Sequence, residues 1–294
     1  MIFISENTGR LGNQLTVFAH FIACAIENKL SIVNPSFKNY AKVFKNTSDD
    51  IFCRYPTRRL KLFPKSITRN ISYLFILNLG KVLQKIDAYN YIGSYKVIQA
   101  RLREDKYSLG NQDFLELAKN KVVFCRGYFF RDYQNVVKHA DKIKAYFILN
   151  EQYQISVDNF INSIRDKHEL VVGVHIRQGD YKEYQNGKWF YETSQYVKII
   201  KDVKSLFGNQ RVAFLICSDT RQEESAFSEC NVFLSDKSAI EDCYLLSKCD
   251  YILGVPSSFS RWASFYGSVP LCVVRDANQE VNLNQFEVNY QLFG

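Results

Sequence analysis

The sequence contains no run of about 20 apolar residues, the length that a membrane-spanning helix requires. Its best apolar run, Ile71 to Leu79, is far shorter and ends at Gly80 and Lys81. The amino terminus, Met1 to Ser5, reads as a strand and passes into the polar segment Glu6 to Arg10. It has neither the basic start nor the longer apolar stretch of a signal peptide. No two cysteines have Cys-x-x-Cys spacing, and most of the eight, such as Cys217 and Cys272, sit inside apolar runs. They read as buried, reduced thiols rather than disulfides or zinc ligands. The four histidines (His20, His139, His168 and His175) are scattered and form no metal cluster with the cysteines. Asp-x-Asp, the paired carboxylates that commonly bring Mg²⁺ or Mn²⁺ to a diphosphate, is missing too; Asp49 and Asp50 are merely adjacent in a polar loop. Repeats and low-complexity tracts are absent. These absences predict a globular, cytoplasmic chain that needs no metal.

What is present is 294 residues, comfortable for two domains, with 47% hydrophobic and 23% charged side chains. The net charge of +8 is unevenly placed. Between Phe37 and Lys106 there are 15 Lys/Arg against 5 Asp/Glu, a balance of +10, with Arg58, Arg59 and Lys61 close together; the rest balances at −2. Such a segment suggests an anionic neighbour: a membrane surface, a lipid-pyrophosphate carrier or nucleic acid. Peripheral attachment to the inner membrane surface is one reading of it, and a solvated basic face that aids solubility is another. Nucleic acid is disfavoured, because the aromatic residues there form no recognisable binding motif.

The hydrophobic pattern predicts an α/β fold. Ile2 to Ile4 reads as a strand, Glu6 to Gln14 as a loop, Leu15 onward as a helix (Leu15, Phe18, Ala19, Ile22, Ile26), and Leu30 to Val33 as a second strand. From Phe37 to Tyr107 only a helix, Ile71 to Ile86, is legible. Lys121 to Cys125 reads as a buried strand, and Asp141 to Phe160 is helical in pattern. In the second half, strands at Leu170–Ile176, Arg211–Cys217, Asn231–Leu234, Tyr251–Leu253 and Pro270–Val274 alternate with helices at Tyr191–Leu206 and Ala239–Ser247 and one after the Ser-rich turn. Near-continuous apolar strands alternating with helices imply parallel sheets covered on both faces. With the boundary near Asn150, the domains are 1–150 and 151–294, two Rossmann-like α/β halves facing across a cleft. Ligands of such sheets bind at the carboxyl ends of the strands.

The polar clusters fall at those ends. In Gly173-Val-His-Ile-Arg-Gln-Gly-Asp-Tyr181 a buried strand ends in His175, Arg177, Gly179 and Asp180. Arg177 offers a planar fork suited to a pyrophosphate. Equally, His175 could be a core histidine, Arg177 a partner of Asp180, and Gly179 a turn. Gly9-Arg10-Leu-Gly12-Asn13-Gln14 lies between a strand and a helix, where backbone amides could hold a phosphate or simply make a turn. Asp242 and Ser247 precede the serine-rich turn Ser257-Ser258-Phe259-Ser260, whose hydroxyls and amides could meet an anion, with Ser258 or Ser260 as an ordinary helix cap the alternative. Asp219 closes a strand, as a ligand or as a turn residue.

Together these segments resemble the α-1,2-fucosyltransferases, a glycosyltransferase family 11-like group in the superfamily that also holds the α-1,6- and protein O-fucosyltransferases. The strand-end segment is similar to the family's His-x-Arg-x-Gly-Asp-Tyr. The loop is similar to Gly-Gly-Leu-Gly-Asn-Gln, with Arg10 in place of the second Gly, a form closer to the protein O-fucosyltransferases. Asp242 and Ser247 match Asp-x-x-x-Met-Ser, and Ser257, Ser258, Phe259, Ser260 and Trp262 match Ser-Ser-Phe-Ser-Trp-Trp, with Arg261 replacing the first Trp. The resemblance implies a GT-B-like fold, the carboxyl-terminal half binding GDP-fucose and the amino-terminal half presenting the acceptor. It further implies metal-independent inverting transfer of fucose, with no cofactor, to O2 of a galactose-containing or lipid-linked glycan. Arg177 takes the diphosphate role; His175 and Asp180 are the candidate bases, Asp180 alternatively orienting Arg177 or His175. Gly9, Arg10, Gly12, Asn13, Gln14, Asp219, Asp242, Ser257, Ser258, Phe259 and Ser260 are expected on the donor side. A transferase of another nucleotide-deoxysugar, an inactive sugar-nucleotide-binding relative and a basic nucleic-acid-binding protein are the alternatives.

Overall fold

Ile2–Ile4 forms β1, and the chain turns through Gly9 into α1, Leu11–Asn28. The computed structural model describes residues 1–57, 65–87 and 93–292; Arg58, Arg59 and Lys61 lie outside them. From Leu11 to Ala25 nearly every residue of α1 is buried, as expected of a helix that is apolar on most of its circumference. β2 (Ile32–Val33) stops at the short 3-10 turn that Pro35 opens; β3 (Arg54–Tyr55), α2 (Lys65–Asp87) and β4 (Tyr95–Gln99) follow. Then come β5 (Tyr107–Ser108), α3 (Gln112–Asn120), β6 (Val122–Arg126), β7 (Phe130–Arg131), α4 (Tyr133–Lys138) and α5 (Ala140–Tyr146). The sheet order is β3-β2-β1-β6-β4, parallel except for β3, with β5 and β7 as a separate parallel pair. An aromatic cluster of Phe18, Phe37, Phe44, Tyr146 and Phe147 fills the core beside α1.

The protein divides into two compact units, Met1–Glu151 and Gln152–Gly294. The second unit contains most of α6 (Glu151–Arg165), then β8 (Leu170–Ile176), α7 (Thr193–Ser205), β9 (Val212–Ser218), β10 (Val232–Leu234), α8 (Ala239–Leu246), β11 (Tyr251–Gly254), α9 (Ser258–Gly267) and β12 (Leu271–Val273). Its five strands are all parallel, in the order β10-β9-β8-β11-β12. Val172, Val174, Ile176, Phe214 and Leu253 build the sheet core, and Tyr196, Ile199, Ile200 and Val203 of α7 are buried in the same apolar cluster.

Three expectations change. α1 begins at Leu11 rather than Leu15, so Gly12, Asn13 and Gln14 form its first turn and are not loop. The apolar period missed this because Gly-Asn-Gln breaks it, although first-turn amides need no intrahelical partner. β4 was not legible: Tyr-Lys-Val-Ile-Gln is short and half polar, and it forms the edge strand that pairs with β6. The helical pattern over Asp141–Phe160 is two helices, broken at Phe147–Asn150, where Lys45 and Asn150 exchange backbone bonds with Ile148 and Val43. All eight cysteines are free thiols, and seven are buried. Among the described residues no helix is long and apolar enough to cross a membrane.

Candidate active site

The second unit gathers its polar residues where β8, β9 and β11 end. β8 is the central strand, so the chain leaving it at Arg177 has neighbours on both sides. Arg177 is mostly buried and meets two carboxylates. Its Nε lies 3.0 Å from Asp180 Oδ1 and 3.1 Å from Asp219 Oδ2; its Nη2 lies 2.8 Å and 3.0 Å from the two Asp180 oxygens. The Tyr181 ring lies against the guanidinium, 5.0 Å from centroid to Cζ. Nη1 meets no acceptor among the described residues. Asp219 also holds the turn: its Oδ1 accepts from the Gln178 amide at 2.8 Å and the Gly179 amide at 3.2 Å. The arginine fork is therefore fixed in direction before any ligand arrives.

Beside it, His175 is buried at the end of β8. Its Nδ1 is 2.8 Å from Ser260 Oγ, and its ring stacks on Phe259 with centroids 4.7 Å apart. Burial, helped by the nearby Arg177 charge, lowers its pKa to about 3, so the imidazole is neutral at physiological pH. Gly254 on β11 faces His175 in register, and a Cβ there would stand 3.0 Å from Ser260 Oγ and 3.2 Å from His175 Cβ. Glycine is what lets α9 close on the strand at this point. Ser257 is the helix cap, accepting from the Phe259 amide at 3.2 Å; the cap is neither Ser258, the first helical residue, nor the fully buried Ser260. The Tyr181 hydroxyl donates to the Pro256 carbonyl at 2.7 Å, tying the arginine turn to the serine turn.

Asp242 lies apart from this pair of contacts, buried in the first turn of α8. The Ser235 hydroxyl donates to its Oδ1, and Cys217 Sγ lies 3.8 Å from its backbone carbonyl. Burial raises its pKa to about 7, against the effect of those hydrogen bonds. The thiol of Cys243, the next residue, donates to the Phe259 carbonyl, which links α8 to α9.

In the first unit the expected residues form their own cluster at the carboxyl end of β1. Gly9 has φ +82° and Arg10 stands at the helix start, so the amides of Gly12 and Asn13 belong to the amino-terminal turn of an 18-residue helix, the end that favours anions. Gln14 is buried and donates to Asn7 Oδ1 at 2.9 Å and the Gly9 carbonyl at 2.7 Å, which locks the turn. Sequence reasoning missed the residues next to it. Glu6, after β1, receives Arg101 through Nε and Nη2 at 3.1 Å each and buried Arg126 through Nε at 3.5 Å. Arg126 closes β6 and Arg101 follows β4, but no local pattern shows that they meet, because that depends on β4 pairing with β6. Among the described residues no group of three or more His, Cys, Asp or Glu could hold a metal ion.

A family profile described as Glycosyl transferase family 11 matches residues 96–288. Among solved structures, the chain is similar to a mutant of Arabidopsis thaliana FUT1 in complex with GDP. The identity there is 14% and the TM-score 0.60, over 97% of this chain and 73% of that one. It is similar to the Bradyrhizobium NodZ α-1,6-fucosyltransferase soaked with GDP-fucose at 18% identity and TM-score 0.59, covering 95% and 97%. It is similar also to POFUT1 in complex with GDP-fucose, at 11% identity and TM-score 0.55, covering 93% and 95%. No curated protein matches the chain in sequence. At such identities the structures establish the fold, which is of the GT-B-like kind.

Proposed function

Because the chain belongs to glycosyl transferase family 11, we propose that it transfers L-fucose from GDP-β-L-fucose to a sugar hydroxyl with inversion. The acceptor in this reading is O2 of a galactoside, on a free or lipid-linked glycan. The observation that carries the reading is Arg177, a fork at the carboxyl end of the central strand, braced by Asp180 and Asp219. Structures of the same fold hold GDP or GDP-fucose, and a diphosphate is the anion a planar guanidinium grips best.

In this reaction the acceptor oxygen bonds to the anomeric carbon as the bond to the diphosphate breaks. Arg177 takes up the negative charge that develops on GDP. The electrostatic contribution is large because the fork is already oriented and needs no reorganisation. In this reading the acceptor proton passes to the carboxylate of Asp180, which is half open to solvent. Little base strength is needed, since the sugar ring carries positive charge at the transition state. His175, with its pKa near 3, makes a poor base; it acts as a positioning residue that seats Phe259 and Ser260. Within the second unit the serine turn at the start of α9 completes the donor side of this reading, which requires no metal.

Arg177→Lys tests this. A point ammonium cannot reproduce the fork, and losing that contact costs roughly 3 kcal/mol, about a hundredfold in kcat. Turnover within twofold of the wild type would reject the assignment.

A further inference from the structure

Helix α2 has an inner face and an outer face of different kinds. Inward, Arg69, Ile76 and Gly80 are buried and Tyr73 is half-buried. Arg69 Nη2 donates to the Thr47 carbonyl at 2.9 Å, and Gly80 lies against Ser5. Outward, Ile67, Ile71, Leu74, Phe75 and Val82 are between 52% and 64% exposed. At 3.6 residues per turn these five fall in one sector about 100° wide; Ile67, Ile71, Leu74 and Phe75 make its contiguous part, and exposed Asn78 separates them from Val82. Scattered apolar residues on a surface are ordinary, whereas a contiguous row marks an interaction site. An apolar stripe of this width normally faces a core.

The charge around the stripe says what covers it. The helix sequence carries Lys65, Arg69, Lys81 and Lys85, and its one acid, Asp87, is the last residue. Lys81 and Lys85 are exposed within or beside the stripe, and Lys38 reaches Asn70 on its border, with Nζ 2.7 Å from Oδ1. Two copies of this face would bring lysines against lysines. An anionic bilayer matches both features, because it accepts apolar side chains below its headgroups and lysines among them. We propose that α2 lies in the plane of an anionic leaflet, with Ile71, Leu74 and Phe75 sunk to the acyl boundary and Lys81 and Lys85 on the lipid phosphates. This holds whichever donor and acceptor the enzyme uses.

The test uses the full chain with vesicles of phosphatidylglycerol in phosphatidylcholine, and of phosphatidylcholine alone. The wild type should sediment with the mixed vesicles, less as salt rises, and bind the neutral ones poorly. Ile71→Ser combined with Phe75→Ser should lower partitioning about tenfold while leaving the melting temperature and donor hydrolysis unchanged, since both side chains are more than half exposed. Phe75→Trp should show a blue-shifted emission with mixed vesicles when the wild-type spectrum is subtracted. Lys81→Glu with Lys85→Glu should remove most of the salt dependence. Equal partitioning of the serine double variant, no blue shift, or a wild-type chain that ignores both vesicle types overturns the proposal. So does light scattering that finds a wild-type dimer and a monomeric double variant, which would make the stripe an interface between copies.

Discussion

Asp242 should make this protein lose stability as pH rises toward neutrality, and Asp242→Asn should abolish that loss. In the fold its carboxyl is buried, and its pKa moves from the ordinary 3.8 to about 7. The folded state therefore binds this proton more tightly than the unfolded chain does. The contribution is most favourable below the unfolded value, declines as pH climbs from 4 to 7, and levels off above the folded value. Each pH unit in that window is worth about 1.4 kcal/mol, so the whole interval amounts to roughly 4 kcal/mol at most. Relaxation of the site and solvent entry would reduce this to about 2 kcal/mol. Asparagine keeps the shape and leaves an oxygen to accept from Ser235, so the comparison isolates the charge. Urea unfolding of both proteins at pH 5 and pH 8 reads the effect as a difference of differences, which cancels the other titrating groups. The variant should gain about 1 kcal/mol on the wild type between the two pH values, since part of the effect has already accrued at pH 5. An equal pH dependence in the two proteins, or a variant that falls further behind at pH 8, would refute the reasoning.

Three more outcomes follow from the surroundings of particular residues. Activity should survive excess EDTA, because a guanidinium already occupies the space between Asp180 and Asp219 where a metal would compete for the carboxylates; loss of turnover that Mn²⁺ restores would contradict this. Gly127→Ala should destabilise the first unit by about 3 kcal/mol or more, since φ is +114° and a Cβ would stand 2.3 Å from the Ala100 carbonyl oxygen. Gly93→Ala, with nothing within 4 Å, should change stability by less than about 0.5 kcal/mol in the same melt.

The second half of the fold was readable because its strands are buried on both faces. Leu170–Ile176 is apolar except for His175, and its bounds in the structure are those that the pattern predicts. β4 was hidden for the opposite reason: at the sheet edge its Lys96 and Gln99 are tolerated, and alternation over five residues is a weak signal. The polar residues of the strand-end motif could be read as a cluster, but their division of labour could not. That Asp219 supports the Gln178–Gly179 turn and the Arg177 fork at once depends on β8 and β9 being neighbours, a pairing across 40 or so residues. Nor does sequence distinguish Ser257 from Ser258 as the cap, because either could start the helix and only the backbone angle at Ser257 decides. The Glu6, Arg101 and Arg126 cluster needed β1, β4 and β6 to be side by side, which no local pattern announces.

β1 is the middle strand of its sheet, yet it is made first. Its partner on one side, β2, follows within about 30 residues, but on the other side Ile2 waits for Val123. During synthesis the strand leaves the ribosome with one edge unpaired until more than a hundred further residues have emerged. At 5–20 residues per second, that is an interval of roughly 6 to 24 seconds. An apolar strand edge left open so long is a target for chaperones and for mispairing between nascent chains. The second unit shortens the wait, since the other edge of its central strand β8 closes when Val172 meets Tyr251, a smaller separation than that of Ile2 from Val123. Expression at lower temperature should therefore raise the soluble yield through the first unit's folding, and truncations that remove β6 should aggregate.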